Sequence, residues 1–183
     1  LFEREAPERT REAAEEDLAR AIAEVRDDPE FTGLELDPEA EAAFFADAAK
    51  LVDRYFELED PRTAHPIGLE LRLEAKVGGL RLRGIIDRLE LDADGGLVVT
   101  DYKSGRAPGQ TYQQGKLGGV AFYSLLCEEL FGVRPARVQL LYLGDTTVIT
   151  TEPTEQSTRG LRPKVSALWQ AVAQARQREE FRP

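Results

Sequence analysis

A single cysteine in 183 residues excludes a good deal at once. Cys127 cannot form an internal disulfide, and no cysteine-rich metal site can be built within the chain. No apolar run approaches the roughly 20 residues that a bilayer-spanning helix needs. No stretch reads as a secretory signal, so the expected setting is the cytoplasm and no membrane partner is expected. Positive charge is scarce: 24 Lys and Arg stand against 34 Asp and Glu, a formal net charge of -10. That balance argues against a general polyanion-binding surface, because long-range attraction to phosphate needs excess positive charge. A site that works through a bound metal is compatible with it, since the ion brings its own charge. The chain begins at Leu1 without a methionine and ends at Phe181-Arg182-Pro183 without a closing element. It is read as a piece of a longer protein.

The composition, 42% hydrophobic and 32% charged, is that of a soluble globular protein with one proper core. In the first part, residues 1–60, Leu18, Ala21, Ile22 and Val25 recur at helical spacing. Asp28-Pro29 and Gly33 break that helix. Asp37-Pro38, a cap followed by proline, starts a second one, with Phe44, Ala48, Leu51, Val52 and Tyr55 as its stripe.

The period then changes. Leu69, Leu71 and Leu73 alternate with charged residues, as in a half-buried strand. Gly78-Gly79 signals a hairpin, Leu80 to Leu91 a second strand and Leu97 to Lys103 a third. A helix is predicted over 111–131, with Leu117, Ala121 and Leu125 in one row and Phe122, Leu126 and Leu130 in another. A hairpin follows over 138–151, turning at Gly144-Asp145. A last helix, within 154–180, carries Leu161, Val165, Leu168, Trp169 and Val172, and Pro163 either kinks it or marks its start. The expectation is one domain over 1–183, with a sheet core over 65–151. The strand-helix-strand passage makes it α/β or α+β, a mixed central sheet flanked by helices.

The chemistry gathers in two runs, Gly84-Ile85-Ile86-Asp87-Arg88 and Asp101-Tyr102-Lys103-Ser104-Gly105. Each acid sits inside an apolar strand-like segment, where a charge is costly without a partner. Asp101 and Lys103 are two apart, so an extended strand turns both to one face. Two carboxylates suit a hard ion such as Mg²⁺ or Mn²⁺, and a neighbouring lysine can offset charge on a phosphate. The alternative is a charged hairpin end whose acid and lysine pair with neighbours. From spacing alone the two readings stand level.

The two runs resemble the central motifs of the PD-(D/E)XK nucleases, and more narrowly the RecB-type exonucleases, whose signature is G-x-x-D-R followed by D-Y-K-[ST]-G. The resemblance covers roughly residues 67–143. It implies a restriction-endonuclease-like fold and a metal-dependent DNA exonuclease of repair or recombination. It implies Asp87 and Asp101 as metal-binding carboxylates and Lys103 as the catalytic lysine. It implies DNA, single-stranded or with free ends, as partner, with a helicase partner or domain. Glu70 either matches the acid that often precedes G-x-x-D by one strand or is an ordinary solvent-facing glutamate. Arg88 and Arg106, close to the motifs, are expected on DNA phosphates, whereas Arg81 and Arg83 read as a solvated strand face. The rival is an inactive nuclease-like module that binds DNA or acts as a scaffold beside a helicase.

Three departures from that family pattern stand out. Its first-motif histidine has no counterpart, because the one histidine, His65, lies in a loop entering the first strand. That helix is expected ahead of Leu1. The Q-x-x-x-Y that usually follows the lysine is matched by Tyr123 alone, with Gly119 at the glutamine place and Gln113 and Gln114 out of register. Gly119 implies either close approach of a strand or a drifted site, and Tyr123 serves either the site and DNA or the core. Many relatives carry a cysteine-ligated iron-sulfur cluster. One is possible in the full-length protein but not in this segment, where Cys127 reads as a buried structural residue.

Overall fold

Three helix starts near the N-terminus each follow a residue whose oxygen caps the exposed N–H groups. Thr10 accepts from the Ala13 N–H at the head of α1 (Arg11–Val25). Asp28 accepts from Glu30 before the single turn of α2 (Pro29–Thr32), and Asp37 from Ala40 before α3 (Pro38–Leu58). The structure is a computed structural model; it describes residues 1–179, with residues 110–118 described by backbone alone.

Five strands follow: β1 (Pro66–Val77), β2 (Leu80–Leu91), β3 (Leu97–Lys103), β4 (Arg137–Tyr142) and β5 (Thr147–Thr151). They form one sheet in the order β1-β2-β3-β4-β5. β1 and β2 are an antiparallel hairpin in register from Val77–Leu80 down to Leu69–Arg88. β2 and β3 are antiparallel from Leu91–Leu97 to Arg88–Thr100. Between β3 and β4 lies α4 (Gln110–Phe131). The Ala136 N–H donates to Leu97 O and the Leu143 N–H to Lys103 O, each at 2.8 Å, so β4 runs parallel to β3. The helix is therefore a strand-helix-strand crossover. This mixed sheet with helices is the α/β (α+β), restriction-endonuclease-like class that the sequence predicts.

Contacts divide the chain into two compact units. One comprises Leu1–His65, Tyr102–Ala107 and Leu141–Ile149, and the other Pro66–Asp101, Pro108–Leu140 and the chain from Thr150 on. In the first, α1 packs on α3 over Ala13, Ala14 and Tyr55. Buried Arg9 ties the turn before β1, donating through Nη1 to the carbonyls of Pro61 (3.2 Å) and Ala64 (2.8 Å). In the second, Ile86, Val99, Leu125, Leu126, Cys127 and Val138 are fully buried. Gly84 lets α4 lie against β2: a Cβ there would stand 2.7 Å from Leu126 Cδ1 and 3.1 Å from Phe122 Cε1. Burial pushes the Cys127 thiol up to about 11, which leaves it an inert part of this core.

The last helix departs from expectation. α5 (Glu155–Arg178) starts at a capping box made by Thr154 and Ser157, so Pro163 lies inside it and is not its start. Its N-terminal half is held to α4, where Arg162 pairs with Glu128 and Glu129. The later residues Leu168, Trp169 and Val172 are exposed rather than buried as a stripe. Of the rows expected on α4, Leu125 and Leu126 are buried and Leu130 is exposed, while the side chain of Leu117 lies outside the described residues. Among the described residues no helix is long and apolar enough to cross a membrane.

Candidate active site

Arg88 and Thr100 stand opposite one another and share a face of the β2–β3 pair, where Arg88 Nη2 donates to Thr100 Oγ1 at 3.4 Å. One residue further along each strand come Asp87 and Asp101. The paired stretch ends at Arg88–Thr100, and the charges of both acids reach the Tyr123 phenol. Asp101 is 2% exposed and Asp87 half-buried. Tyr123, on α4, lies beside them: its hydroxyl donates to Asp101 Oδ1 at 2.9 Å. Burial, that hydrogen bond and the charges of Asp101 and Asp87 all raise the Tyr123 phenol far above its ordinary value. It is a fixed neutral donor, not a base.

At Arg88 the charge is locked in. Arg88 is 1% exposed, and its Nε donates to Glu90 Oε2 at 2.7 Å. Thr100 also accepts from Gln139 Nε2 at 2.9 Å, so one polar chain joins β2, β3 and β4. The expectation that Arg88 contacts DNA phosphate is corrected: a guanidinium buried against a carboxylate holds strands together and does not meet a ligand in solvent. Glu90, Thr100 and Gln139 were not anticipated, although each is a polar residue within an apolar strand, which is the signal that could have found them.

Lys103 ends β3, exposed, two residues beyond Asp101. The loop that leaves it is held on β4's far end. The Leu143 N–H donates to Lys103 O, the Gly144 N–H to Gly105 O (3.1 Å) and the Ala107 N–H to Asp145 Oδ2 (3.0 Å). Gly144 is needed for that approach, because a Cβ there would lie 2.5 Å from Gly105 O. Arg106, in the same loop, is exposed.

Other residues singled out in the sequence lie differently. Glu70 is exposed in β1, at a left-handed φ of 45°. Among the described residues no group of three or more His, Cys, Asp or Glu side chains is placed to hold a metal, so Glu70 is not gathered with Asp87 and Asp101 into one. His65 is an exposed loop residue. Arg81 and Arg83 are exposed and pair with Glu74, as a solvated strand face should. Among the described residues a Cβ at Gly119 would meet nothing within 4 Å, so protein packing does not require that glycine. The side chains of Gln113 and Gln114 lie outside the described residues.

The sequence profile of the PD-(D/E)XK nuclease superfamily matches residues 1–183. The chain belongs to that superfamily. Nucleases of the PD-(D/E)XK superfamily generally use divalent metals such as Mg²⁺ or Mn²⁺. Two adjacent carboxylates fit such an ion, since Mg²⁺ is commonly held by one or two of them with waters and substrate phosphates completing the shell. No curated protein matches the chain. A solved structure described as "Crystal structure of SSO0001" aligns at 18% identity over 84% of this chain and 73% of that one, with a TM-score of 0.39.

Proposed function

We propose that this chain is the nuclease domain of a RecB-type DNA exonuclease, acting on single-stranded or free DNA ends in repair or recombination, with a helicase as partner or neighbouring domain. The reading takes both compact units as one domain, in keeping with the family match over the whole chain. The observation that carries it is the meeting of Asp87, Asp101 and the Tyr123 hydroxyl.

Asp87 and Asp101 would hold the divalent ion, which would polarise the scissile phosphate and lower the pKa of a bound water. The protein's own work is positioning. Tyr123 holds the Asp101 carboxylate in one orientation and, being neutral at working pH, does not compete for protons. Lys103, two residues on from Asp101 in β3, offsets the charge that builds on the phosphorus oxygens. Arg106, exposed in the next loop, guides the DNA backbone. Cys127 is buried and holds no cluster. The inactive-scaffold reading has one observation in its favour, the lack of a three-acid group among the described residues.

The test is degradation of linear single-stranded DNA by the full-length protein in Mg²⁺ or Mn²⁺, with chelator as the blank. Lys103→Ala and Asp101→Ala should each lower the rate by at least about 10²–10³-fold. A closed single-stranded circle should survive. Cutting of the circle would replace the exonuclease reading with an endonuclease one. No metal-dependent cleavage by the unaltered protein would leave the scaffold reading. Glu70→Ala should keep most of the activity, and a loss equal to that of Asp101→Ala would make Glu70 a ligand reached through water.

A further inference from the structure

The segment where α1 gives way to α2 and α3 combines two features that rarely share a surface. Residues 24–41 carry eight Asp and Glu against Arg26 alone. This short stretch thus holds seven of the ten negative charges in excess over the whole chain. Arg26 is itself occupied: its Nε pairs with Glu41 at 3.1 Å and its guanidinium lies 5.2 Å from the Phe45 ring centre. Within the same acid-rich stretch sits an aromatic cluster. Phe31, Phe44 and Phe45 meet one another with ring centres 5.2–5.5 Å apart. Among the described residues nothing covers the outer side of this cluster: Phe44 is 47% exposed and Leu34 53%, and Leu36 and Val25 are exposed beside them.

An apolar patch of this kind, rimmed by charge of one sign, is the usual form of a protein-docking surface. Its charge selects the occupant. DNA and anionic lipid carry the same sign as the rim and are repelled. A second copy of this chain would bring the same acids into contact. We propose that this tip docks a Lys- or Arg-rich protein segment bearing large apolar anchors. Leucine or aromatic side chains of the segment would cover Phe44 and Leu34, and its cations would face the acidic rim. The apolar anchors supply affinity and the charges supply selection and speed of encounter. This surface is independent of the nuclease reading.

The probe is a synthetic peptide of leucine and lysine at helical spacing, titrated onto the chain by calorimetry at physiological salt. One control peptide has every lysine replaced by glutamate, and another every leucine by serine. Three double variants are compared, each checked for its fold by circular dichroism: Phe44→Ser with Leu34→Ser, Asp27→Lys with Glu35→Lys, and Asp94→Lys with Glu152→Lys as an equal charge change elsewhere. The leucine-lysine peptide should bind and both controls should not. The first two variants should each weaken binding by at least about tenfold, while the third leaves it within about twofold. No binding, equal binding of the serine control, equal weakening by the third variant, or no weakening by the first would each overturn the proposal. So would concentration-dependent self-association that Phe44→Ser with Leu34→Ser abolishes, since the occupant would then be a second copy.

Discussion

In the helical unit the acids pair with cations near the surface and buried Arg9 meets backbone carbonyls, whereas in the sheet unit an arginine and an aspartate are both taken inside. Asp47 pairs with Lys50 and Asp60 with Arg62 at exposed positions, one turn or less apart. Arg88 and Asp101 are nearly inaccessible, and each is matched by residues distant in sequence or by a strand neighbour. A charge in water has little to lose when its partner goes. A charge in the interior depends on its partner for nearly all its stabilisation. The sheet unit should therefore respond to single polar substitutions far more than the helical unit, although the helical unit is the more highly charged to the eye.

The largest contrast should come from two arginines of the same strand. Arg88→Met should destabilise by about 3–5 kcal/mol, because Glu90, only 12% exposed, loses the cation beside it. Arg83→Met, which leaves the exposed Glu74 still paired with Arg81, should cost no more than about 1 kcal/mol. Urea unfolding of both variants reads the difference directly, and equal midpoints would abolish the distinction. Adding Glu90→Leu to Arg88→Met should recover part of the loss.

Next in size, Gly144→Ala asks whether the helical unit also has a place that cannot yield. The neighbour of the added methyl is the backbone of Ser104 and Gly105, which has no rotamer to move. A loss of about 1–3 kcal/mol is expected, with DNA cleavage falling as the loop after Lys103 shifts. A neutral result in thermal melts would show that the loop gives way.

Tyr123→Phe should cost about 1.5–3 kcal/mol, the worth of a hydrogen bond to a charged group. It should lower cleavage without abolishing it, since a positioning group and not a ligand is lost. The raised phenol also fixes a sign at high pH. A group whose folded pKa lies above its unfolded value stabilises the fold below the unfolded value, near pH 10, and that part fades as pH rises beyond it. Unaltered protein and Tyr123→Phe should therefore converge in stability above about pH 10. A gap that stays constant through that range would count against the assigned environment.

The smallest effect belongs to the surface. Hydrogen bonding to Arg4 holds the Asp17 carboxyl well below its usual range. A depressed carboxyl stabilises above its unfolded value, near pH 4, and loses that contribution as pH falls further. Asp17→Asn should fall slightly below the unaltered protein at pH 6, and the gap should narrow steadily as pH falls towards 2, by acid unfolding followed with circular dichroism.

Periodicity and breakers gave the order of helices and strands, because both are local. An amphipathic stripe, a capping oxygen and a proline act within one or two turns, as the caps at Thr10, Asp28 and Asp37 do. The two acids and the lysine stood out for the same reason, since an acid inside an apolar strand is unusual and alternation sets spacing within a strand, but that spacing alone left their role open. Alternation also separated Arg81 and Arg83 from Leu80 and Leu82. It could not tell how the same strand continues. At Arg88 and Leu89, consecutive residues on opposite faces, both side chains are buried. The second face is covered there by groups brought in from Thr100 and Gln139, and nothing in the local pattern announces that. Gly144 shows the same limit. Its place in the sequence fits a turn, yet what requires a glycine is the backbone of residues nearly 40 positions earlier. The chain's sequence determined where strands and helices begin and to which nuclease superfamily the chain belongs. Only the tertiary structure decided which charges face inward, because burial depends on what packs against a face, and that is set by contacts remote along the chain.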